Sequence, residues 1–463
     1  MQLSIHEIAN ACNGNLLHCD AVDLTVTSIC TDTRKITPGA LFVPLKGETF
    51  DGHDFIAQAA AQGAVCALTE NKIDDAHTPI PLIHVSSTYK ALLDLAAYYR
   101  KIHNVKVIAI AGSAGKTTTK EMIAAVLAQR YKTKKTPGNF NNHIGLPLSI
   151  FQLEPDDQVL VLEMGMNHAG EITPLSQISQ PDIAVITYIG DEHMENFANH
   201  EAVLQANLEI VDGMLPGGKV ILNGDNALLT GAIAKQKTQA FDVHCPSSDS
   251  IIHVEPHGMT KTDCHFRING LDIHATIPLP GNHMALNALI AATVGIEIGL
   301  TPQEIADGLA NMEVPGGRLN ITQANGMTVI NDAYNASPAS MREAINVLLL
   351  DTPDKTKTTR RVCILGDMFE LGQVSEERHR EVGAFAADAS IDLLIAIGPM
   401  ARWLYEGYIA ATDRVFSALH FADADTFLAQ WQTLLFPGDI VLVKASRGMK
   451  FEKIVRTISE ETA

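Results

Sequence analysis

The sequence predicts an α/β chain of three domains built on mostly parallel sheets, and three observations carry that reading. At 463 residues the chain is about three times the usual domain length. Short β-branched apolar runs alternate with longer helical patterns from end to end. Residues 105–111, Val-Lys-Val-Ile-Ala-Ile-Ala, form a continuous apolar run of the kind buried on both faces of a parallel sheet. The composition agrees: 46% hydrophobic and 19% charged residues, with 33 Gly and 20 Pro, exclude a disordered, collagenous or coiled-coil chain.

The first block, residues 1–103, has strand candidates at 24–30, 41–45, 65–68 and 82–85 and helical stretches at 55–62 and 88–103. The second, residues 104–314, opens with the apolar run and continues through a glycine turn into a long helical pattern. Its further strand candidates lie at 158–163, 183–189 and 219–222, while 245–280 reads as short alternating strands in an antiparallel extension. The third block, residues 315–463, has strand candidates at 328–331, 362–365, 393–397 and 440–444 with helices between. Such alternation calls for parallel strands joined by right-handed crossovers.

Lys plus Arg is 34 and Asp plus Glu is 53, a net charge of −19. A field of that sign repels nucleic-acid backbones and anionic lipid, so neither nucleic acid nor membrane is an expected partner. Any phosphate bound here must be held by local dipoles, metal ions or a few placed cations. The start, Met1-Gln2-Leu3-Ser4-Ile5-His6-Glu7, lacks a basic region with a following apolar stretch, and the apolar run 284–300 is broken by Asn287 and Glu297. A cytoplasmic chain without signal peptide or membrane span is expected. Cys12, Cys19, Cys30, Cys66, Cys245, Cys264 and Cys363 are odd in number and form no Cys-x-x-Cys pair, which suits reduced core thiols.

Gly112-Ser113-Ala114-Gly115-Lys116-Thr117-Thr118 follows the apolar strand directly and precedes a helix. A phosphate loop requires that context: glycines let backbone N–H groups converge on phosphate oxygens, and the helix N-terminus adds its positive end. Lys116 supplies a point charge for the terminal phosphates and Thr117 a hydroxyl for Mg²⁺. The usual longer spacing would put glycine at 110, where Ile110 stands, so the match is to a shortened Gly-x-x-Gly-Lys-Thr form. Glu163 ends the next apolar strand and His193 follows the one after it, so both can face the crevice at the strand ends and take metal roles.

At this point the residues resemble the Mur ligases, ATP-dependent amide-forming enzymes of peptidoglycan synthesis. The likeness spans nearly the whole chain. It rests on Thr31-Asp32-Thr33-Arg34, the stretch Gly47 to Phe55, the phosphate loop, Thr136-Pro137-Gly138-Asn139-Phe140-Asn141-Asn142 and Glu163-Met164-Gly165-Met166-Asn167-His168. Gly281-Asn282-His283, Gly317-Arg318-Leu319-Asn320, Asn331-Asp332-Ala333-Tyr334-Asn335-Ala336-Ser337-Pro338 and Leu365-Gly366-Asp367-Met368-Phe369-Glu370-Leu371-Gly372 complete it. Within the family it is similar to the branch that joins D-alanyl-D-alanine to a UDP-N-acetylmuramoyl tripeptide. That implies a smaller N-terminal UDP-muramoyl-substrate-binding domain, a central ATP-binding P-loop domain and a C-terminal Rossmann-like ligase domain, working as a monomer with ATP and Mg²⁺. The implied chemistry is γ-phosphoryl transfer to a carboxylate, attack of an amine on the acyl phosphate, and loss of phosphate from a tetrahedral intermediate.

By resemblance, Lys116, Glu163, His193 and Arg318 are catalytic, and Thr117, Glu163 and His193 hold metal. Residues 112–118 with Asn287 (adenine), Asp332 (ribose) and Arg318 (phosphates) bind ATP. Asp32, Thr33, Arg34 and His53 belong to the uridine-nucleotide site, and Asn139, Asn141 and Asn142 to a substrate-facing loop. Asn335, Ser337, Asp367, Lys444, Ser446 and Arg447 lie where D-alanyl-D-alanine and ATP should meet. Residues 314–317, Val-Pro-Gly-Gly, are the expected pivot for closure of the third domain.

One departure stands out. The family's Ala-Lys-x-Glu-Ile lysine, which carries a carbamate, is replaced in Ala206-Asn207-Leu208-Glu209-Ile210. A lost unit charge at about 4 Å and an effective dielectric of about 20 is worth about 4 kcal/mol before desolvation. A second metal should therefore bind more weakly beside a neutral Asn207. The alternatives are a sister Mur ligase adding another amino acid, a ligase-like nucleotide-binding protein with weakened turnover, or a P-loop kinase.

Overall fold

The computed structural model describes residues 1–17, 24–71, 78–232, 240–350, 359–389, 391–413 and 417–460. Cys19 lies outside them, and the other six cysteines form no disulfide among the described residues. The apolar run forms the strand Lys106–Ala111 in a six-stranded parallel sheet. From edge to edge the order is Asp242–His244, Lys219–Leu222, Ile183–Ile186, Lys106–Ala111, Val159–Glu163 and Thr133–Lys135. The period of two shows why the run is continuously apolar. Ile108 and Ile110 enter a core with Met122, Val126 and Leu289 of the helices Lys116–Leu127 and His283–Ile298, while Val107 and Ala109 enter another with Leu92, Leu95 and Tyr99 of the helix Thr88–Ile102. Thr133–Lys135 and Asp242–His244, short polar edge strands, were not expected, since an edge needs no apolar run.

The antiparallel extension is three strands, Ile251–His257, Lys261–Ile268 and Leu271–Ile277, with Cys264, Phe266 and Ile273 turned into the core. The first domain holds a five-stranded sheet ordered Asn15–Leu17, Leu82–His84, Ala64–Thr69, Ala40–Phe42, Ser28–Cys30, antiparallel only at Asn15–Leu17. The expected strand at 24–30 splits, and Thr25–Val26 pairs with Leu3–Ser4.

The third sheet runs Asn320–Ala324, Met327–Asn331, Ile440–Lys444, Arg361–Gly366, Leu393–Ile397, Ala418–Phe421. Its first pair departs from the strand–helix expectation. It is an antiparallel hairpin turned by Asn325 and Gly326, both at positive φ, the chemistry of a two-residue hairpin turn. At the expected pivot, Gly317 accepts from Tyr334 N at 3.1 Å and donates to Asn320 Oδ1, which ties that glycine to the third domain. Among the described residues no helix is long and apolar enough to cross a membrane.

Candidate active site

The carboxyl ends of the central and third sheets open onto one cleft of about 450 Å³, lined by residues of both. Its floor is the turn after Lys106–Ala111. Gly112 (φ +134) and Gly115 (φ +82) hold left-handed backbone there, and a Cβ on Gly112 would lie 2.3 Å from Thr187 Oγ1. Ser113 N donates to Tyr188 O at 2.6 Å and Thr187 Oγ1 to Ala114 O at 2.6 Å, so the loop is fixed before any ligand arrives. Thr118 is buried in the first helical turn, and Asn287 lies behind Gly115, where a Cβ would meet its Oδ1 at 3.1 Å.

Lys116 Nζ donates to Gly112 O and to Glu192 Oε1, the latter at 2.5 Å. Glu163, 2% exposed, accepts from Asn141 Nδ2 at 2.9 Å through Oε1, while its Oε2 has no hydrogen-bond partner and lies 3.8 Å from the fully buried Lys120 Nζ. His193 occupies a left-handed turn (φ +50) with Nδ1 2.6 Å from Glu370 Oε2 and Nε2 3.9 Å from Glu192 Oε1. Burial draws the imidazole's pKa down, but Glu370 and Glu192 outweigh it and leave the group above its ordinary value.

The third domain supplies the opposite wall. Arg318 Nη2 donates to Thr117 Oγ1 at 3.1 Å, and its guanidinium lies over the Tyr334 ring at 4.4 Å, with Arg447 5.1 Å from the same ring. Asp332 holds the buried Lys444 Nζ at 2.5 Å and accepts from Leu319 N, and Lys444 also donates to Asn335 O. Ser337 caps the helix Pro338–Leu348, and Ser446 Oγ accepts from Phe369 N at 2.8 Å, so both hydroxyls have local work. Asn142 Oδ1 accepts from Ile144 N at 3.1 Å and from Gly145 N at 2.9 Å, just ahead of the helix Gly145–Ile150, and Asn139 lines the rim. Burial pushes the Asp367 carboxyl up while Ala401 N donates to it at 2.6 Å, which ties it to the helix Ala401–Ala410 and not to the cleft.

Asp32, Thr33, Arg34 and His53 lie outside this cleft, in the first domain. Arg34 pairs with Asp32 at 2.8 Å and holds that carboxyl below the usual range, with Thr33 opening the turn between them. His53 is held from both sides, its Nδ1 2.6 Å from Asp51 Oδ1 and its Nε2 accepting from Glu70 N at 3.1 Å. Asn207 is buried, donates to Val203 O at 2.9 Å and does not line the cleft. Glu209 accepts from Gly170, Ile172 and Thr173 N at the start of Ile172–Ser179, so it does not replace the missing charge.

The sequence reading gave no role to Glu192, Glu370, Lys120 or Tyr334. Glu192 is the neighbour of His193, Glu370 stands inside the stretch 365–372, and Lys120 lies one helical turn after Lys116. A divalent cation fits the donor set of Thr117, Glu163 and His193, on the ground that Oε2 of Glu163 and Oε2 of Glu192 are buried without partners. The cations Lys116, Arg318, Lys444 and Arg447 face Glu163, Glu171, Asp191, Glu192, Asp332 and Glu370, so the cleft itself is net acidic. A polyphosphate would enter it more readily with a metal ion.

Three segments match known families: residues 25–126 the Mur ligase family catalytic domain, 110–295 the Mur ligase middle domain, and 317–447 the Mur ligase glutamate ligase domain. The chain is 37% identical over 461 residues to UDP-N-acetylmuramoyl-tripeptide–D-alanyl-D-alanine ligase of Bacillus subtilis (strain 168), covering 99% of this chain and 98% of that one. It is 35% identical to the protein of the same name in Escherichia coli (strain K12), covering 99% of each. Among solved structures, MurF from Acinetobacter baumannii aligns with a TM-score of 0.90 at 30% identity, over 100% of this chain and 99% of that one. MurF ligase from Thermotoga maritima in complex with ADP aligns at 0.81 and 26% identity, over 95% and 98%. With its fold, its phosphate loop and its whole length in agreement, the chain belongs to the Mur ligase family.

Proposed function

We propose that this chain is an ATP-dependent ligase of peptidoglycan precursor synthesis that joins D-alanyl-D-alanine to UDP-N-acetylmuramoyl tripeptide. One observation carries the reading. A phosphate loop on one domain and an arginine on another meet at Thr117 Oγ1, so two domains share a single phosphate-handling centre. Full-length likeness to proteins named for that reaction supports the choice of acceptors.

The three domains, 1–103, 104–314 and 315–463, divide the work: the first holds the UDP-muramoyl end around Asp32, Thr33 and Arg34, the second ATP, the third D-alanyl-D-alanine. Residues 112–118 cradle the phosphates with backbone N–H groups and the helix N-terminus. Lys116 exchanges Glu192 for the terminal phosphate, and Asn287 and Asp332 bracket the nucleoside. Thr117, Glu163 and His193 would hold Mg²⁺, which when bound neutralises phosphate charge and orients the γ-phosphoryl group. A tripeptide carboxylate oxygen attacks the γ-phosphorus and ADP leaves. Arg318 stabilises the charge on the transferring group from the far wall. The amine of D-alanyl-D-alanine then attacks the acyl carbon, and phosphate departs from the tetrahedral intermediate as the amine's proton is lost. Asn139, Asn141, Asn335, Ser337, Lys444 and Ser446 shape the space between the two acceptors. The proposed enzyme is a cytoplasmic monomer acting on small molecules.

The test supplies ATP, Mg²⁺, UDP-N-acetylmuramoyl tripeptide and D-alanyl-D-alanine, and follows phosphate release and product mass. Phosphate released only with both acceptors, together with the joined peptide, is the expected result. A stable phosphorylated end product would make the protein a kinase, and silence a binding protein.

A further inference from the structure

The loop that carries Glu192 and His193 is clasped by the third domain. Glu195 N donates to Glu370 O at 3.1 Å, Glu370 Oε2 lies 2.6 Å from His193 Nδ1, and Arg378 Nε lies 3.1 Å from Asp191 Oδ2. The approach is close: a Cβ on Gly372 would sit 2.8 Å from Glu195 Cα. His193 and Glu370 both hold left-handed backbone, at φ +50 and +65, a strained choice for residues with side chains that persists where surroundings over-determine it.

The chemistry of the clasp is specific. A carboxylate at Nδ1 fixes the proton there and leaves the lone pair on Nε2, the arrangement by which carboxylates orient metal-binding histidines. Here the carboxylate and the imidazole come from different domains. We infer that Glu370 is a positioning residue, delivered by the third domain, which aims His193 Nε2 at the metal site and completes that site only when the third domain is docked. The inference rests on the ligase reading and its metal assignment. Its consequence is that the domain carrying the second acceptor also sets metal affinity, so phosphoryl transfer is coupled to assembly of all three domains. Lys116 is held in the same loop through Glu192, which extends the coupling to the phosphate loop.

The experiment is a titration of the full-length chain, saturated with ADP, with Mn²⁺ followed by electron paramagnetic resonance. Glu370→Gln should weaken Mn²⁺ binding by about 10- to 100-fold, Glu370→Asp by less, and ADP affinity without metal should stay within twofold. In turnover, Glu370→Gln should raise the half-saturating Mg²⁺ concentration while that for the tripeptide is unchanged, a split that a merely structural role would not produce. If Glu370→Gln binds Mn²⁺ as the parent does while His193→Ala is weakened, the inference is overturned and the ligase reading stands. If His193→Ala also binds as the parent does, the assignment of metal to His193 falls and takes the inference with it.

Discussion

The cleft and the first domain's candidate site are built from the same kinds of residue but paired on different scales. In the cleft Lys116 meets Glu192 76 residues away, Lys444 meets Asp332 112 away, and Arg318 meets Thr117 201 away. In the first domain Arg34 meets Asp32, and His53 meets Asp51, each two residues away. Local pairs form with their own turn and persist however the domains are arranged. Lys116–Glu192 lies within the central domain and Lys444–Asp332 within the third, but Arg318–Thr117 exists only when two sheets face each other, so chemistry that must wait for several substrates is better built from a pair of that kind. Substitutions in the cleft should therefore change rate and leave the fold intact, whereas losing a local pair in the first domain should register in stability or in substrate affinity before it registers in the rate of the chemical step.

The largest effect expected is at Lys116. Lys116→Ala removes the charge meant for the terminal phosphate, and phosphate release should fall about a thousandfold, equal to about 4 kcal/mol of barrier. Its melting temperature should match the parent's within a degree or two, because the side chain fills no core. Single-turnover phosphate release with calorimetry measures both. Retention of a tenth of the parent's rate would break the comparison and the proposed function together.

His53→Ala is the counterpart. Its Nε2 accepts from Glu70 N, and the Glu70 carboxylate in turn accepts from Thr88 N and Oγ1 at the start of the helix Thr88–Ile102. Removing the imidazole strands a part-buried N–H and loosens that chain of bonds, at about 1–3 kcal/mol of stability. Urea unfolding should register the loss, with kcat unchanged within twofold. A weaker KM for the UDP substrate in a protein of parental stability would instead make His53 a nucleotide-site residue, as the family resemblance implies.

The same difference in scale explains what the sequence could tell. The central sheet was legible where both faces are buried, at Lys106–Ala111 and Val159–Glu163, because apolar runs record burial directly. The edges Thr133–Lys135 and Asp242–His244 were not, since half their surroundings are solvent. The hairpin turn at Asn325 and Gly326 did have a local signature, which the strand–helix rhythm obscured. At the site, residues 112–118 were legible because spacing and chemistry lie within one turn. Arg318 could be expected only through resemblance to a family, since no local pattern announces a partner in another domain. Glu370 stands in a stretch that carries the family resemblance, but its pairing with His193 depends on left-handed turns and a docked interface that one sequence does not display.

Glu304 joins both kinds of partner in one carboxylate and gives the finest test. Arg130 Nε, 174 residues away, donates to it at 2.9 Å, and Thr301, three residues away, donates through N at 2.8 Å and through Oγ1 at 2.7 Å in a capping box on Pro302–Ala310. Arg130 first, then Thr301, hold its pKa at about 2. A depressed carboxyl contributes stability that is present above its unfolded value of 4.5 and disappears as pH falls through about 2, because the unfolded chain takes the proton first. In Glu304→Gln the urea midpoint should therefore decline less steeply than the parent's between pH 5 and pH 3. The change should be small, since the group sits at the surface, where solvent and salt screen such pairs. Arg130→Gln separates the two scales. If the distant partner dominates, this variant should lose most of the excess acid sensitivity while the cap keeps the helix start. If Arg130→Gln declines with pH as the parent does, the near partner alone sets the carboxyl, and long reach in sequence is then a property of the cleft, not of the fold at large.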